Sequence, residues 1–168
     1  LEFRDVKGFN ATNGFGRFGS LAAIRWLPDK NTTLTGASTS TKQTDPSQPL
    51  VDQRTDRLEL SRNMGAVGKL TLMHEERQYE GSQDVDPDSR TDTVVYENQL
   101  TKSTTLRTEH SKTLFENGEH ETKTSNSVSQ ALNSRLGVSV TDTKIQREGD
   151  KPSVTQRDYG FWVDFGKN

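Results

Sequence analysis

The sequence predicts an all-β fold: an antiparallel up-and-down meander of about eight to nine long strands, forming a closed barrel or part of a larger barrel. Two observations lead to this prediction. Apolar residues recur at every second position through much of the chain, which is the period of a strand with one apolar side. Short and long polar connections also alternate, so the tight turns fall at one end of a single sheet.

The composition limits the size of the core. Of 168 residues, 28% are hydrophobic and 27% are charged, and the mean hydropathy is −0.91. Such a chain buries little apolar surface. Its net charge of only −2 and its recurring apolar alternation nevertheless favour order over disorder. We therefore expect an ordered protein with a small core.

Charge and composition also exclude several classes of protein. A pI near 6.0 gives no basic surface, so we expect no nucleic-acid partner. The absence of cysteine rules out disulfides and thiolate metal sites. No apolar run reaches the roughly 18 residues that a transmembrane helix requires. The chain begins with Leu1 and shows no signal peptide, so we expect a mature or excised fragment.

The chain is expected to divide into two parts. Segment 1–15 is glycine-rich and lacks clear alternation, so we predict an irregular N-terminal segment there. Segment 16–168 is predicted to form a single antiparallel β domain. The predicted strands of this domain are 16–27, 32–43, 56–63, 69–80, 93–100, 103–115, 121–132, 135–147 and 158–166.

Apolar side chains on one face define most of these strands. The alternating sets are Leu58 and Leu60; Leu70 and Leu72; Val94, Tyr96 and Leu100; Leu136, Val138 and Val140; and Tyr159, Phe161, Val163 and Phe165. The connections carry the Pro, Gly, Asn and Asp residues that turns require. The short ones are 27–31, 63–68, 100–103 and 132–135. The long, polar ones are 44–56, 81–92, 116–121 and 147–158.

The apolar stripe stops partway along each hairpin. In KLTLMHEERQYEG (69–81), Leu70 and Leu72 are followed on the same face by His74 and Glu76. Apolar residues lie near the short turns and charged residues lie toward the long loops. Leu136, Val138 and Val140 cover only about 10 to 13 Å, and Leu70 and Leu72 cover even less, against the ~25 Å lipid-facing band of a membrane barrel. Either the strands leave the membrane quickly, or the sheet is soluble with a thin core.

Two segments resemble large Gram-negative outer-membrane β-barrel proteins. In RWLPDKNTTLTGASTSTKQ (25–43), a Trp-x-Pro element precedes a Thr/Ser/Gly-rich strand, as at a periplasmic turn. The aromatic segment YGFWVDFG (159–166) is similar to an interfacial girdle strand. The resemblance implies contact with outer-membrane lipid and with further barrel strands or envelope proteins. The chain departs from it by ending in Asn168 instead of an aromatic residue.

One loop offers a candidate metal site. The spacing of Asp84, Asp86, Asp88 and Asp92 is similar to the early positions of a calcium loop, because hard cations favour several carboxylates. The sixth position is Ser89 where such a loop requires glycine. The alternative interpretation is a solvated acidic loop tip, and no other cofactor is expected.

The histidines give no catalytic motif. His74 and His110 take similar places in successive hairpins, on strands separated by one other strand. In Glu109-His110-Ser111, consecutive strand residues point to opposite faces, so these three side chains form no local triad. His120 belongs to no motif either.

Three functional hypotheses follow. The first is a non-enzymatic outer-membrane β-barrel or barrel segment, which acts as a porin, an export channel or a scaffold. The alternative is a soluble or surface-displayed β-sheet module for binding or assembly, including a phage or fibre component, located outside the cell or on its surface. The third is a hydrolase built on a barrel, with His74 or His110 as the base.

Overall fold

A computed structural model describes residues 2–12, 15–43, 51–81, 87–133, 136–147 and 152–163. These residues form one ten-stranded antiparallel sheet in which neighbours in sequence are neighbours in space. The predicted meander is thus confirmed, with one strand more than expected. The strands are β1 (Glu2–Thr12), β2 (Phe15–Asp29), β3 (Thr32–Gln43), β4 (Val51–Asn63), β5 (Lys69–Gly81), β6 (Ser89–Gln99), β7 (Thr104–Phe115), β8 (His120–Ala131), β9 (Leu136–Arg147) and β10 (Val154–Val163).

The connections divide between the two ends of the sheet. The end that carries the β2–β3, β4–β5, β6–β7 and β8–β9 connections is called the turn end, and the other is called the loop end. A single short 3-10 turn, Gly65–Val67, lies in the β4–β5 connection. Among the described residues, β1 and β10 pair only with β2 and β9, so the sheet is open there. No helix in the described part of the chain is long and apolar enough to cross a membrane.

The N-terminal segment is where the structure differs most from the sequence prediction. Residues Glu2–Thr12 form β1, where an irregular segment was predicted. Backbone pairing runs without interruption from Glu2 opposite Arg25 to Thr12 opposite Phe15. Gly8 lies opposite Gly19 in this ladder, which shows that ladder hydrogen bonds do not require an alternating apolar pattern.

The loop-end connections are shorter than predicted. β4, β6 and β10 begin at Val51, Ser89 and Val154, several residues before their predicted starts. The β7–β8 connection contains only residues 116–119, no more than a turn-end connection. Polar residues continue each ladder here because backbone pairing is indifferent to side-chain polarity.

The Trp-x-Pro element lies at the turn end, as predicted. The pairing of β2 with β3 shifts between Trp26 and Asp29, where Pro28 has no N–H to donate. Asp29 then closes the hairpin: its carboxylate accepts hydrogen bonds from the Asn31 N–H at 2.7 Å and the Thr32 hydroxyl at 2.9 Å. This is the side-chain capping that favours Asp in tight turns.

The strands are staggered in one direction across the sheet. A row of directly opposite residues can be followed across the sheet from Thr32, the first residue of β3. This row meets β10 at Arg157, six residues before the end of that strand. The row is Thr32, Arg62, Leu70, Tyr96, Thr108, Asn126, Asp142 and Arg157. With strands ~4.8 Å apart and a rise of ~3.3 Å per residue, this stagger corresponds to a strand tilt of about 30°. Barrels have strands inclined by roughly 35–45°, so the sheet is sheared nearly as a barrel wall is.

The two faces of the sheet differ in accessibility. On β6, Thr93 and Val95 are 6% and 7% exposed, whereas Val94 between them is 43% exposed. Ser61 and Ser111, also buried, lie on the same face as Thr93 and Val95. We call this the inner face and the Val94 face the outer face. Val95 is the only buried hydrophobic residue in the described part of the chain, which confirms a small core.

Candidate functional site

The outer face carries an exposed apolar belt. Its members are large side chains on seven strands, and each is at least 39% exposed. They are Ile24, Trp26, Leu58, Leu60, Leu72, Val94, Val128, Val138, Val140, Tyr159, Phe161 and Val163. Isolated exposed apolar residues are ordinary, but a continuous band of them marks a surface that contacts an apolar environment.

The belt ends three to five residues from the turn-end terminus of every strand that carries it. We measure height as the number of residues from the turn-end terminus of the strand. Leu58 and Val94 lie at height five and Val140 at height four, and the next residue on the same face of each strand is an aspartate. On β5 and β10 the belt is followed by His74 and Arg157. With a tilt of about 30°, five residues span about 14 Å along the sheet axis.

Above the belt the outer face carries paired charges. Arg54 contacts Asp56 at 2.8 Å, and Arg90 donates to Glu76 at 2.8 Å. Arg157 binds both oxygens of Asp142, at 2.5 and 3.1 Å. His74 lies 2.6 Å from Asp92. This charged band needs water or lipid headgroups around it, because charged side chains are costly in hydrocarbon.

The inner face is mostly polar. Hydroxyl groups meet in cross-strand pairs: Thr71 donates to Ser61 at 3.3 Å and Thr141 donates to Ser127 at 3.1 Å. Further hydroxyl pairs are Thr91 with Thr113 at 3.0 Å and Ser125 with Thr143 at 3.1 Å. These pairs satisfy one another and give the inner face a hydrophilic lining.

Ion pairs between arginine and glutamate side chains lie among these hydroxyl groups on the inner face. Arg107 lies between Glu97 and Glu109, at 3.6 and 2.9 Å. Three other inner-face pairs have distances of 2.7 Å: Arg57 with Glu59, Arg77 with Glu75, and Arg147 with Glu121. The charges nearly balance, so the inner face has no strong excess of either sign.

The charged inner residues lie at the height of the apolar belt. Glu97, Arg107 and Glu109 are two, three and five residues from the turn ends of their strands. At the same heights the outer face carries Tyr96 and Val94 on the adjoining β6. The sheet therefore carries apolar side chains on one face and charged side chains on the other over the same span. Register decides which polar residue faces which side, so the sequence alone did not identify these inner residues.

The aspartates of the candidate calcium loop occupy different settings. Asp88 accepts the Tyr79 backbone N–H at 2.7 Å, and Asp92 lies within β6 beside His74. Asp84 and Asp86 lie outside the described residues. Within the described ranges, no group of three or more potential metal ligands forms a site. The calcium site stays a prediction.

The histidines are arranged as their spacing predicts. His74 and His110 both lie on the outer face, separated by β6. A hydrogen bond of 3.0 Å joins His110 Nδ1 to the Thr124 hydroxyl. Ser111 is buried on the inner face, so it does not meet His110. The Glu109-His110-Ser111 segment therefore forms no local triad.

Comparison with known proteins identifies the fold. No protein-family model and no curated protein matches the chain. The structure of the KdgM porin in complex with disordered oligogalacturonate matches with a TM-score of 0.58 and 10% identity, covering 93% of this chain and 80% of that one. A second KdgM porin structure gives a TM-score of 0.56 at 10% identity, with 92% and 79% covered.

A longer porin chain matches the same fold. The anion-selective porin from Comamonas acidovorans matches with a TM-score of 0.65 and 10% identity, over 88% of this chain but only 47% of the porin. This chain thus spans about half of that barrel. The predicted resemblance to outer-membrane β-barrels is confirmed at the level of the fold.

Proposed function

We propose that the chain is a non-enzymatic outer-membrane β-barrel or a segment of one, acting as a porin or other channel for polar solutes. The observation that carries the proposal is the coincidence in height of the outer apolar belt with the charged inner residues Glu97, Arg107 and Glu109. A transmembrane barrel alternates in this way, with apolar side chains toward lipid and polar side chains toward its lumen.

The accessible belt argues against a sheet surrounded by water. Burying one Val, Leu, Ile or Phe side chain fully stabilises a protein by roughly 1.5–3 kcal/mol. Leu60 and Leu72 are 40% and 42% exposed, and Phe161 is 79% exposed. A lipid phase removes this apolar surface from water without a second protein layer.

The short belt requires a membrane whose hydrocarbon layer is thin around the protein. The belt of about 14 Å is shorter than the ~25 Å band of ordinary barrels. Exposed apolar residues in the turns, Met64, Val67, Leu100 and Leu132, extend it below the strands. The bacterial outer membrane is thinner than average, and local thinning costs only fractions of a kcal/mol per Å. The charged band then lies outside the hydrocarbon.

The structural neighbours support a path for polar solutes. One was solved with an oligogalacturonate and another is described as anion-selective. Both belong to the class of pores with hydrophilic linings. The nearly balanced charges of the inner face favour a path of weak ion selectivity in this chain.

The second candidate is a soluble or surface-displayed β-sheet module for binding or assembly. The open edges at β1 and β10 favour it, because an unpaired strand edge is a template for another strand. In an outer-membrane barrel, the same edges pair with each other or with further strands.

Membrane insertion and conductance distinguish the two candidates. The chain is expressed with an export signal, the cell envelope is fractionated, and purified protein is added to planar bilayers. Extraction only by detergent, heat-modifiable migration on gels and stepwise conductance support the barrel. Monodisperse protein in plain buffer without conductance would contradict it.

A further inference from the structure

We propose that Lys112 and Lys144 form a binding site on the outer face for the phosphate groups of a lipid headgroup in the surrounding leaflet. This inference rests on the proposed membrane location. Both lysines are exposed, and each lies at height eight, on β7 and β9 respectively. Between them lies β8, whose outer face presents only uncharged hydroxyls at that height, from Thr122 and Thr124.

The two lysines differ from the described arginines above the belt. Arg54, Arg90 and Arg157 each contact a carboxylate. Among the described residues, no ion pair includes Lys112 or Lys144. Their positive charge is therefore available to an external anion.

The nearest carboxylates are already engaged. Asp92 lies directly opposite Lys112, but it contacts His74 at 2.6 Å. Asp142 lies two residues from Lys144, but both of its oxygens bind Arg157. The patch thus keeps a local positive charge within a protein whose net charge is −2.

The spacing of the lysines suits a phosphate group between them. Lys112 lies opposite Thr122, and Thr124 lies opposite both His110 and Lys144. Two strand spacings and an offset of two residues put the lysine Cα atoms about 12 Å apart. The Thr122 and Thr124 hydroxyls lie between them and can donate to phosphate oxygens as the ammonium groups do.

The height of the patch identifies the source of the phosphate. On β9 the belt ends with Val140 at height four and charge begins with Asp142 at height six. The two lysines, at height eight, therefore lie about 6 Å above this first charged residue. The headgroup layer of a bilayer is roughly 5–7 Å thick on each side. Lysine stems can cover apolar surface while their ammonium groups reach this layer. The phosphate of a phosphorylated lipid is held at the height of the headgroup layer, where the lysine ammonium groups lie. A free phosphate ion is not confined to this height.

A paired set of variants tests the site. The double variant K112A/K144A is compared with K69A/K123A, which removes two lysines from the inner face. Lys123 is the matched position, because it also lies at height eight, on the intervening β8. Each protein is inserted in phosphatidylcholine vesicles containing bisphosphorylated lipid A, monophosphorylated lipid A or neither. Retained lipid is counted by mass spectrometry after detergent extraction.

We expect wild type and K69A/K123A to retain bisphosphorylated lipid A, and K112A/K144A to retain about thirtyfold less. About fivefold per lysine is the usual contribution of a basic residue at an anionic membrane surface. Equal retention by both double variants would overturn the site. Displacement of the lipid by inorganic phosphate at low concentration would overturn the choice of a lipid.

Conductance of the same vesicles separates this inference from the proposed function. A protein that conducts but shows no preference for phosphorylated lipid contradicts only the lipid site. A protein that fails to insert or conduct contradicts the proposed function, and with it the lipid site.

Discussion

Leu60 on β4 lies directly opposite Leu72 on β5, and yet these two side chains remain 40% and 42% exposed. In a soluble sheet, such a cross-strand leucine pair belongs in the core. Here it lies on the accessible face, while the buried positions are Ser61, Thr93, Val95 and Ser111. The sheet is apolar on its accessible outer face and mostly polar on its inner face, and the first two predictions below follow from that inversion.

Charge on the belt should be costly in a bilayer. Leu72 lies at height three, near the middle of the belt, so Leu72→Arg should destabilise the inserted protein by about 2–4 kcal/mol. Met73, the next residue, lies on the inner face opposite Glu59, so Met73→Arg should cost much less. Urea unfolding from liposomes measures both. Equal costs, or a harmless Leu72→Arg, would contradict contact of the belt with lipid.

Inner-face charges should control ion selectivity. Arg107→Gln removes a cation held between Glu97 and Glu109, so reversal potentials should move toward cation selectivity. Glu109→Gln should move them the opposite way. Arg157→Gln is the control, because Arg157 lies on the outer face. If all three variants give the wild-type reversal potential, the inner face does not line the conducting path.

A tryptophan covers a glycine on the inner face. Trp162 lies over Gly137, where an added Cβ would overlap the indole ring. Gly137→Ala should displace the indole and destabilise the β9–β10 pair by about 1–3 kcal/mol. The chain has two tryptophans, so the background variant Trp26→Phe makes Trp162 the sole reporter. Unchanged fluorescence and stability in Gly137→Ala would contradict this packing.

The β2–β3 turn should depend on pH through Asp29, which lies at the turn end outside the belt. The hydrogen bond from the Asn31 N–H, aided by the Thr32 hydroxyl, lowers the pKa of Asp29. A carboxyl whose pKa is lowered by folding stabilises the native state above its unfolded pKa, and this contribution is lost as pH falls through the lowered value.

Asp29→Asn removes this titration and keeps an amide oxygen that can accept the Asn31 N–H. Wild type should therefore be more stable than Asp29→Asn at neutral pH, and the difference should disappear in acid. Unfolding curves across acidic pH provide the comparison, with Asp29→Ala as the variant that removes the cap altogether. A constant difference between wild type and Asp29→Asn would show that the carboxylate charge contributes nothing.

The sequence revealed strands wherever one face alternates in polarity. Leu70 and Leu72 define β5, and β3 has its predicted bounds, Thr32–Gln43. It missed the loop-end halves of strands, where pairs such as Asp142 with Arg157 continue the ladder. It also missed β1, where no alternation is visible between Glu2 and Thr12.

The inner-face charges of the candidate site could be located only from the register of the strands. Arg107 and Glu97 are ten residues apart in sequence, and only the β6–β7 pairing places them directly opposite each other. A shift of one residue would turn each strand over and exchange its faces. Composition alone does not distinguish a polar lumen from a solvated surface. The alternation was therefore predictable, and the assignment of sides was not.

The most direct test of an apolar outside and an aqueous inside is a pair of adjacent spin labels. The chain contains no cysteine, so Val128→Cys and Ser129→Cys each give a single labelling site at belt height on β8. In bilayers, the label at 128 should be accessible to oxygen and shielded from a water-soluble nickel chelate. The label at 129 should show the reverse. Equal access of the nickel chelate to both labels would contradict the account.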